Sequence, residues 1–288
     1  MPDTHRPDDL AALAAEVAAR EAALPLRAPE VAARIDFADG PEQTDVALVY
    51  IPGFSATPRE VHPVPEKVCA DLGMNAYFAR LDGQGLDGTA MGKATLDNWR
   101  RETREALEIG RRLGRRVVAM GCSTGCTLMA LEAQDVAAQI HVAPNFALKS
   151  PLTELILGAP GVRHWGRFVA GRERILEPIS DEHDRFWTLR YPIEAVLPMF
   201  EAVRAVRAKG LADMTMPAFF AWSPQDTVVR PSAIEKAVKA WPGPVETAIY
   251  DKTADDVEEC HVIAGDVFAP HRTDELAARI VDWLKRTL

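Results

Sequence analysis

The pentapeptide Gly121-Cys122-Ser123-Thr124-Gly125 stands between two apolar runs of different character. Arg116-Val117-Val118-Ala119-Met120, before it, is apolar without alternation and predicts a short strand buried on both faces, as in a parallel sheet. Cys126-Thr127-Leu128-Met129-Ala130-Leu131-Glu132-Ala133, after it, is rich in helix formers and predicts a helix. Gly-x-Ser-x-Gly between a strand and a helix is the pattern of a nucleophile elbow. Such a turn is tight enough to strain the serine backbone, and only glycine leaves room two residues to either side. The hydroxyl is then presented at the carboxyl edge of the sheet, beside the positive end of a helix. Outside that setting the pentapeptide is an ordinary tight turn; within it, Ser123 is the candidate nucleophile.

Working outward, strands and helices alternate on both sides of the elbow. Leu10 to Leu24 predicts a peripheral helix within a 1–30 N-terminal segment, ended by Pro25. Ala33 to Phe37 is a candidate edge strand, and Val46-Ala47-Leu48-Val49-Tyr50-Ile51 a buried strand broken by Pro52-Gly53. Val61 to Leu72 predicts a helix, Asn75 to Leu81 a strand, and Leu96 to Leu113 a long helix. After the elbow, Gln139 to Pro144 is a further strand. The alternation then stops: from about Phe146 to Asp213 there are helix fragments and aromatic residues but no good strand. It resumes with a strand at Pro217 to Trp222, a helix at Pro231 to Trp241, a strand at Val245 to Tyr250 and a last helix at Asp274 to Leu284, with Thr273 as its cap. The pattern predicts an α/β core of residues 1–146 and 214–288, with a mostly parallel sheet covered by helices on both faces, and a helical insertion, residues 147–213, over the strand ends.

The formal net charge of −9 over 288 residues disfavours nucleic acid and anionic membrane surfaces as partners. No stretch approaches the roughly 18 apolar residues of a membrane span. The first thirty residues carry charges and no apolar signal-peptide core, so a cytoplasmic location is expected. Cys69, Cys122, Cys126 and Cys260 show neither metal-ligand spacing nor a disulfide framework and read as reduced thiols. No cofactor or metal is expected, and the sequence is silent on oligomeric state.

A serine hydroxyl needs a base, usually histidine, held by a carboxylate. Behind an elbow the chain order is serine, acid, histidine. Of seven histidines, His5, His62 and His141 come before or too near the elbow, and His164 and His183 fall in the insertion. His261 and His271 remain, both between the last strand and the last helix; His261, deeper in the loop, is the stronger candidate and His271 the alternative. Asp226 is the only carboxylate in the loop that follows the Phe219 to Trp222 strand, with Asp251, Asp255 and Asp256 as weaker alternatives. An oxyanion needs backbone N–H donors fixed in advance. The expected pair is Thr124, at the start of the elbow helix, and Phe54, in the Pro52-Gly53-Phe54-Ser55 loop.

With these segments the chain resembles the α/β-hydrolase superfamily, and within it the bacterial carboxylesterase and monoacylglycerol lipase group. The resemblance is carried by Tyr50-Ile51-Pro52-Gly53-Phe54-Ser55-Ala56-Thr57-Pro58, Arg80-Leu81-Asp82-Gly83-Gln84-Gly85, Leu96-Asp97-Asn98-Trp99, Gly121 to Gly125, Gln225-Asp226-Thr227-Val228-Val229 and His261-Val262-Ile263. It spans roughly residues 44 to 286 and is weakest through the insertion. It implies an esterase mechanism on a Ser123, Asp226, His261 triad beneath a helical cap. Two positions depart from the group: its His-Gly is Pro52-Gly53 here, and its Gly-His-Gly is Gly83-Gln84-Gly85. The aromatic content of the insertion marks Phe168 and Trp187 as candidate substrate-binding residues for a small or lipid-like ester. A thioesterase or acyltransferase could use the same groups, and an idle hydrolase fold serving as a binder or scaffold is the reading from a different class.

Overall fold

The computed structural model describes residues 7–288; His5, weighed above, lies outside the described residues. In chain order the first half comprises α1 (Pro7–Ala22), β1 (Arg34–Asp36), β2 (Thr44–Ile51), α2 (Val64–Leu72), β3 (Asn75–Phe78), α3 (Gly88–Met91), α4 (Leu96–Leu113), β4 (Gly114–Cys122), α5 (Thr124–Glu132) and β5 (Ala138–Val142). The segment that follows carries α6 (Pro151–Leu157), α7 (Val162–Ala170), β6 (Glu173–Ile175), α8 (Asp181–Phe186), β7 (Arg190–Pro192) and α9 (Val196–Lys209). The chain closes with β8 (Ala218–Trp222), α10 (Pro231–Ala240), β9 (Val245–Ile249) and α11 (Pro270–Thr287).

Seven strands form one sheet in the order β1-β3-β2-β4-β5-β8-β9. All neighbours are parallel except β1, which runs antiparallel to β3 at the edge. The unalternating strands read from the sequence are explained by burial on both sides. Along β2, Ala47, Val49 and Ile51 enter the apolar layer beneath α1, α4, α5, α9 and α10, while Leu48 and Tyr50 enter the layer beneath α2 and α11. Because the chain enters the sheet in this order, β4 sits at its centre, and the carboxyl ends of β2, β4, β8 and β9 open onto the same edge.

Two expectations are corrected. The insertion holds a two-stranded antiparallel sheet, with Glu173 opposite Pro192 and Ile175 opposite Arg190, where no strand was expected. Each strand is three residues long, β6 is wholly exposed and β7 buries only Tyr191, so neither is long enough to print a period of two on the sequence. The last helix begins at Pro270, not Asp274, with proline in its first turn, where a missing N–H costs nothing. Thr273 is therefore inside the helix, and its hydroxyl accepts a hydrogen bond from the Gly265 N–H at 3.0 Å instead of capping. No helix among the described residues is long and apolar enough to cross a membrane.

His141, in the middle of β5, is fully buried, stacked on Phe220 at 4.5 Å with Trp241 edge-on, and neither ring nitrogen meets a protein partner. Burial pushes its pKa down to about 3. The unfolded chain takes up a proton near pH 6.5 that the folded chain refuses, so stability is present above about 6.5 and is lost as pH falls toward 3. Relative to His141→Phe, the wild type should lose about 2 kcal/mol on going from pH 6.5 to pH 5. Urea unfolding at the two pH values measures the difference, and parallel pH dependence in the two proteins would contradict it.

Candidate active site

The turn between β4 and α5 is built on close packing. A Cβ at Gly125 would run into the Ile51 carbonyl oxygen, and one at Gly121 would lie 2.8 Å from the Met129 sulfur. Glycine at these positions lets α5 come down directly onto β2 and β4. Ser123, caught between, takes φ 49° and ψ −112°, a left-handed conformation that costs a non-glycine residue about 1–3 kcal/mol. Its N–H donates to the Val142 carbonyl at 2.9 Å, and its own carbonyl accepts from the N–H groups of Cys126 and Asn145, both at 3.1 Å. The backbone is thus held from both neighbouring elements while the side chain turns to the strand ends.

There it meets His261. The Nε2 of His261 lies 2.9 Å from the Ser123 hydroxyl oxygen, and its Nδ1 lies 2.6 Å from Oδ2 of Asp226. Asp226 is fully buried, and its other oxygen accepts from the N–H groups of Val228 at 2.7 Å and Val229 at 2.9 Å. A carboxylate held in this way accepts a hydrogen bond from Nδ1–H, which leaves Nε2 as the acceptor for the serine. Burial by itself would lower the His261 pKa; the charge and hydrogen bond of Asp226, with the charge of Glu60 behind them, outweigh it and leave the pKa raised.

The alternatives are engaged elsewhere. His271 lies 3.3 Å from Asp256, which is also paired with the buried Arg272; Asp251 lends its carboxylate to Gln225 at 3.4 Å. Arg272 also donates to the Asp251 carbonyl at 2.6 Å, so it clamps the loop that delivers His261. The acid and histidine loops are tied directly, Thr227 N–H donating to the Glu259 carbonyl at 2.9 Å, and Lys149 donates to the Asp226 carbonyl at 2.7 Å.

On the opposite side of Ser123 runs the Pro52-Gly53-Phe54-Ser55 loop. A Cβ at Gly53 would stand 3.1 Å from the Ser123 Cβ, so no side chain fits between loop and nucleophile. The Gly53 N–H donates to Oε2 of Glu60 at 2.7 Å, its carbonyl accepts from Nε2 of Gln84 at 2.8 Å, and the Thr188 N–H reaches across from the insertion to the Ser55 carbonyl at 2.9 Å. Phe54 follows in the loop and Thr124 opens α5. Glu60, Lys149 and Arg272 went unread in the sequence; Glu60 sits in the polar Thr57-Pro58-Arg59-Glu60 turn, and its only signal was its position seven residues after Gly53.

Phe168 and Trp187 occupy different settings. Phe168 on α7 is 77% exposed, with the Arg167 guanidinium over its ring, whereas Trp187 is 4% exposed and packs against His183 and Phe268. Trp187 belongs to a small apolar cluster with Ala28, Val31 and Ala56, which joins the insertion to the body beside the Gly53 loop.

No protein-family model and no curated protein matches the sequence. Solved structures do. The sheet order and the elbow at its centre are those of an α/β-hydrolase, and the chain has that fold. Among its neighbours are the metagenome-derived lipolytic enzymes LipS and LipT, at 16% identity over 90% of this chain and 98% of theirs with a TM-score of 0.71. A soluble variant of the monoglyceride lipase of Saccharomyces cerevisiae matches at 12% identity, 89% and 91% coverage and a TM-score of 0.66. The monoacylglycerol lipase of Paleococcus ferrophilus matches at 13%, 89% and 98%, with 0.64.

The opposing effects on His261 can be separated. In Asp226→Asn the larger raising influences are removed while burial, opposed only by Glu60, remains, so the imidazole should titrate lower than in the wild type. Proton NMR of the His261 ring reads both; the same titration point in the two proteins would rule out Asp226 as the cause.

Proposed function

We propose that the protein is a serine hydrolase that cleaves carboxylic esters through an acyl-enzyme on Ser123. The observation that carries the reading is the unbroken hydrogen-bonded chain from the Ser123 hydroxyl through His261 to a buried Asp226, at the strand ends and facing a backbone loop. In this reading neutral His261 takes the hydroxyl proton through Nε2 as Ser123 attacks the ester carbonyl. Asp226 holds the ring in the tautomer that leaves Nε2 free and stabilises the imidazolium that forms. The Phe54 and Thr124 N–H groups are assigned to the oxyanion, where the charge develops. His261 then returns the proton to the departing alkoxide, and the same cycle with water releases the acid. The raised pKa of His261 suits the second half of each step, because a more basic imidazole holds the proton until the alkoxide needs it.

The substrate is assigned to small or lipid-like esters, in keeping with the lipases and esterases the fold resembles. The insertion, residues 147–213, is assigned as a cap over Ser123, with Phe168 contacting the acyl chain at its exposed face and Trp187 bracing the cap against the body. A fluorophosphonate should label Ser123, and Ser123→Ala should abolish labelling and lower turnover of p-nitrophenyl esters by about 10³-fold or more. Labelling that survives the substitution would sink the assignment. Acyl-CoA thioesters assayed in parallel separate an esterase from a thioesterase, and an idle fold would neither label nor turn over.

The two aromatic residues should behave oppositely. Phe168→Ala should shift chain-length preference along an ester series without changing the melting temperature. Trp187→Ala should leave the preference in place and destabilise the fold by about 3–5 kcal/mol, as deletion of a buried indole does. A chain-length profile untouched by Phe168→Ala would remove that residue from the site.

A further inference from the structure

Gly53 is held from both ends of its residue. Its N–H donates to Glu60 Oε2, and its carbonyl accepts from Gln84 Nε2, and both side chains are buried. A trans peptide is planar, with its C=O and the following N–H pointing in opposite directions. Whatever fixes the Gly53 carbonyl therefore also fixes the direction of the Phe54 N–H. Gln84, by drawing that carbonyl toward itself, aims the Phe54 N–H the opposite way. Glu60 closes the other end: with its N–H already engaged, Gly53 has no donor left for a substrate, and Phe54 supplies the next N–H in the loop. The same carboxyl oxygen accepts from the Tyr50 hydroxyl at 3.0 Å, so Glu60 is itself anchored to β2.

We propose that Glu60 and Gln84 are positioning residues that grip Gly53 from both sides and aim the Phe54 N–H at the developing oxyanion. The proposal rests on the ester-hydrolase reading and deepens it. It also gives a reason for the glutamine of Gly83-Gln84-Gly85, since an amide N–H₂ is a donor at every working pH, whereas a histidine there would donate according to its tautomer.

The test uses the full chain with a p-nitrophenyl ester, rates being referred to the concentration of sites titrated by a fluorophosphonate. Gln84→Met, of similar length but with no donor, should lower kcat about 10- to 100-fold with KM held within about threefold, because an oxyanion donor acts in the transition state rather than on bound substrate. Glu60→Gln, which can still accept from Gly53 but carries no charge, should lower kcat by a smaller factor. If Glu60→Gln does not fold, Tyr50→Phe, which releases the Glu60 carboxyl from β2, should lower kcat in the same way by less.

A role in folding alone would lower the melting temperature of these variants while leaving kcat per titrated site where it was. Wild-type kcat in Gln84→Met overturns the proposal while an active, labelled wild type leaves the ester-hydrolase reading standing. A wild type that neither labels nor hydrolyses overturns that reading, and this proposal with it.

Discussion

The left-handed backbone of Ser123 is the constraint on which the site depends. A φ of 49° at a residue with a Cβ is unfavourable, and nothing in the pentapeptide itself compensates for it. The compensation is tertiary. Glycines at 121 and 125 let α5 seat against β2 and β4, and the helix from Thr124 to Leu131 is buried throughout. Full burial of a single leucine contributes about 1.5–3 kcal/mol, so Leu128 and Leu131 alone are of the right size to offset the strain. The turn then holds the serine rigidly at the sheet edge, where a relaxed turn would let it sample other rotamers.

A rigid serine is useful only if its partners come to it, and they arrive on loops from three different strands. The structure gives each loop its own anchor. The Asp226 loop is tied by Lys149 and by the Thr227 bond to Glu259; the His261 loop is tied by Arg272, whose guanidinium lies over the Tyr250 ring while donating to the Asp251 carbonyl. The Gly53 loop is tied by Glu60, Gln84 and Thr188. These bonds run between loops and the framework, so the geometry around Ser123 is set by the sheet and not by the loops' own conformational preferences.

What the sequence revealed followed from the length and burial of each element. β2, β4 and β8 are buried on both faces, so their apolar runs were unmistakable, and α4, with Thr95 accepting from the Asn98 N–H at 3.2 Å, was legible to the residue. The Gly-x-Ser-x-Gly turn and the order of Asp226 and His261 after it were legible because each lies beside such an element. β6 and β7 were hidden because three residues are too few to carry a period, and α8 because Asp181-Glu182-His183-Asp184-Arg185 is charged along its length. Glu60 and Arg272 were hidden for a different reason: a charged residue in a loop reads as solvated, and only the folded chain shows that these are buried and paired.

The two carboxyl groups near His261 differ in how fully the protein solvates them, and that difference assigns their work. Asp226 accepts from the Val228 N–H, the Val229 N–H and His261, so its charge is surrounded by donors that cannot leave. Glu60 accepts from the Gly53 N–H and the Tyr50 hydroxyl on a single oxygen, and burial leaves its pKa raised. A carboxylate held by three donors keeps the imidazole in one orientation. A less solvated one beside the same imidazole is more easily protonated, and its charge matters most when the imidazolium has formed and gives it a partner. The charges of both raise the His261 pKa, so in the proposed ester hydrolysis they favour the imidazolium that follows proton transfer over the resting imidazole.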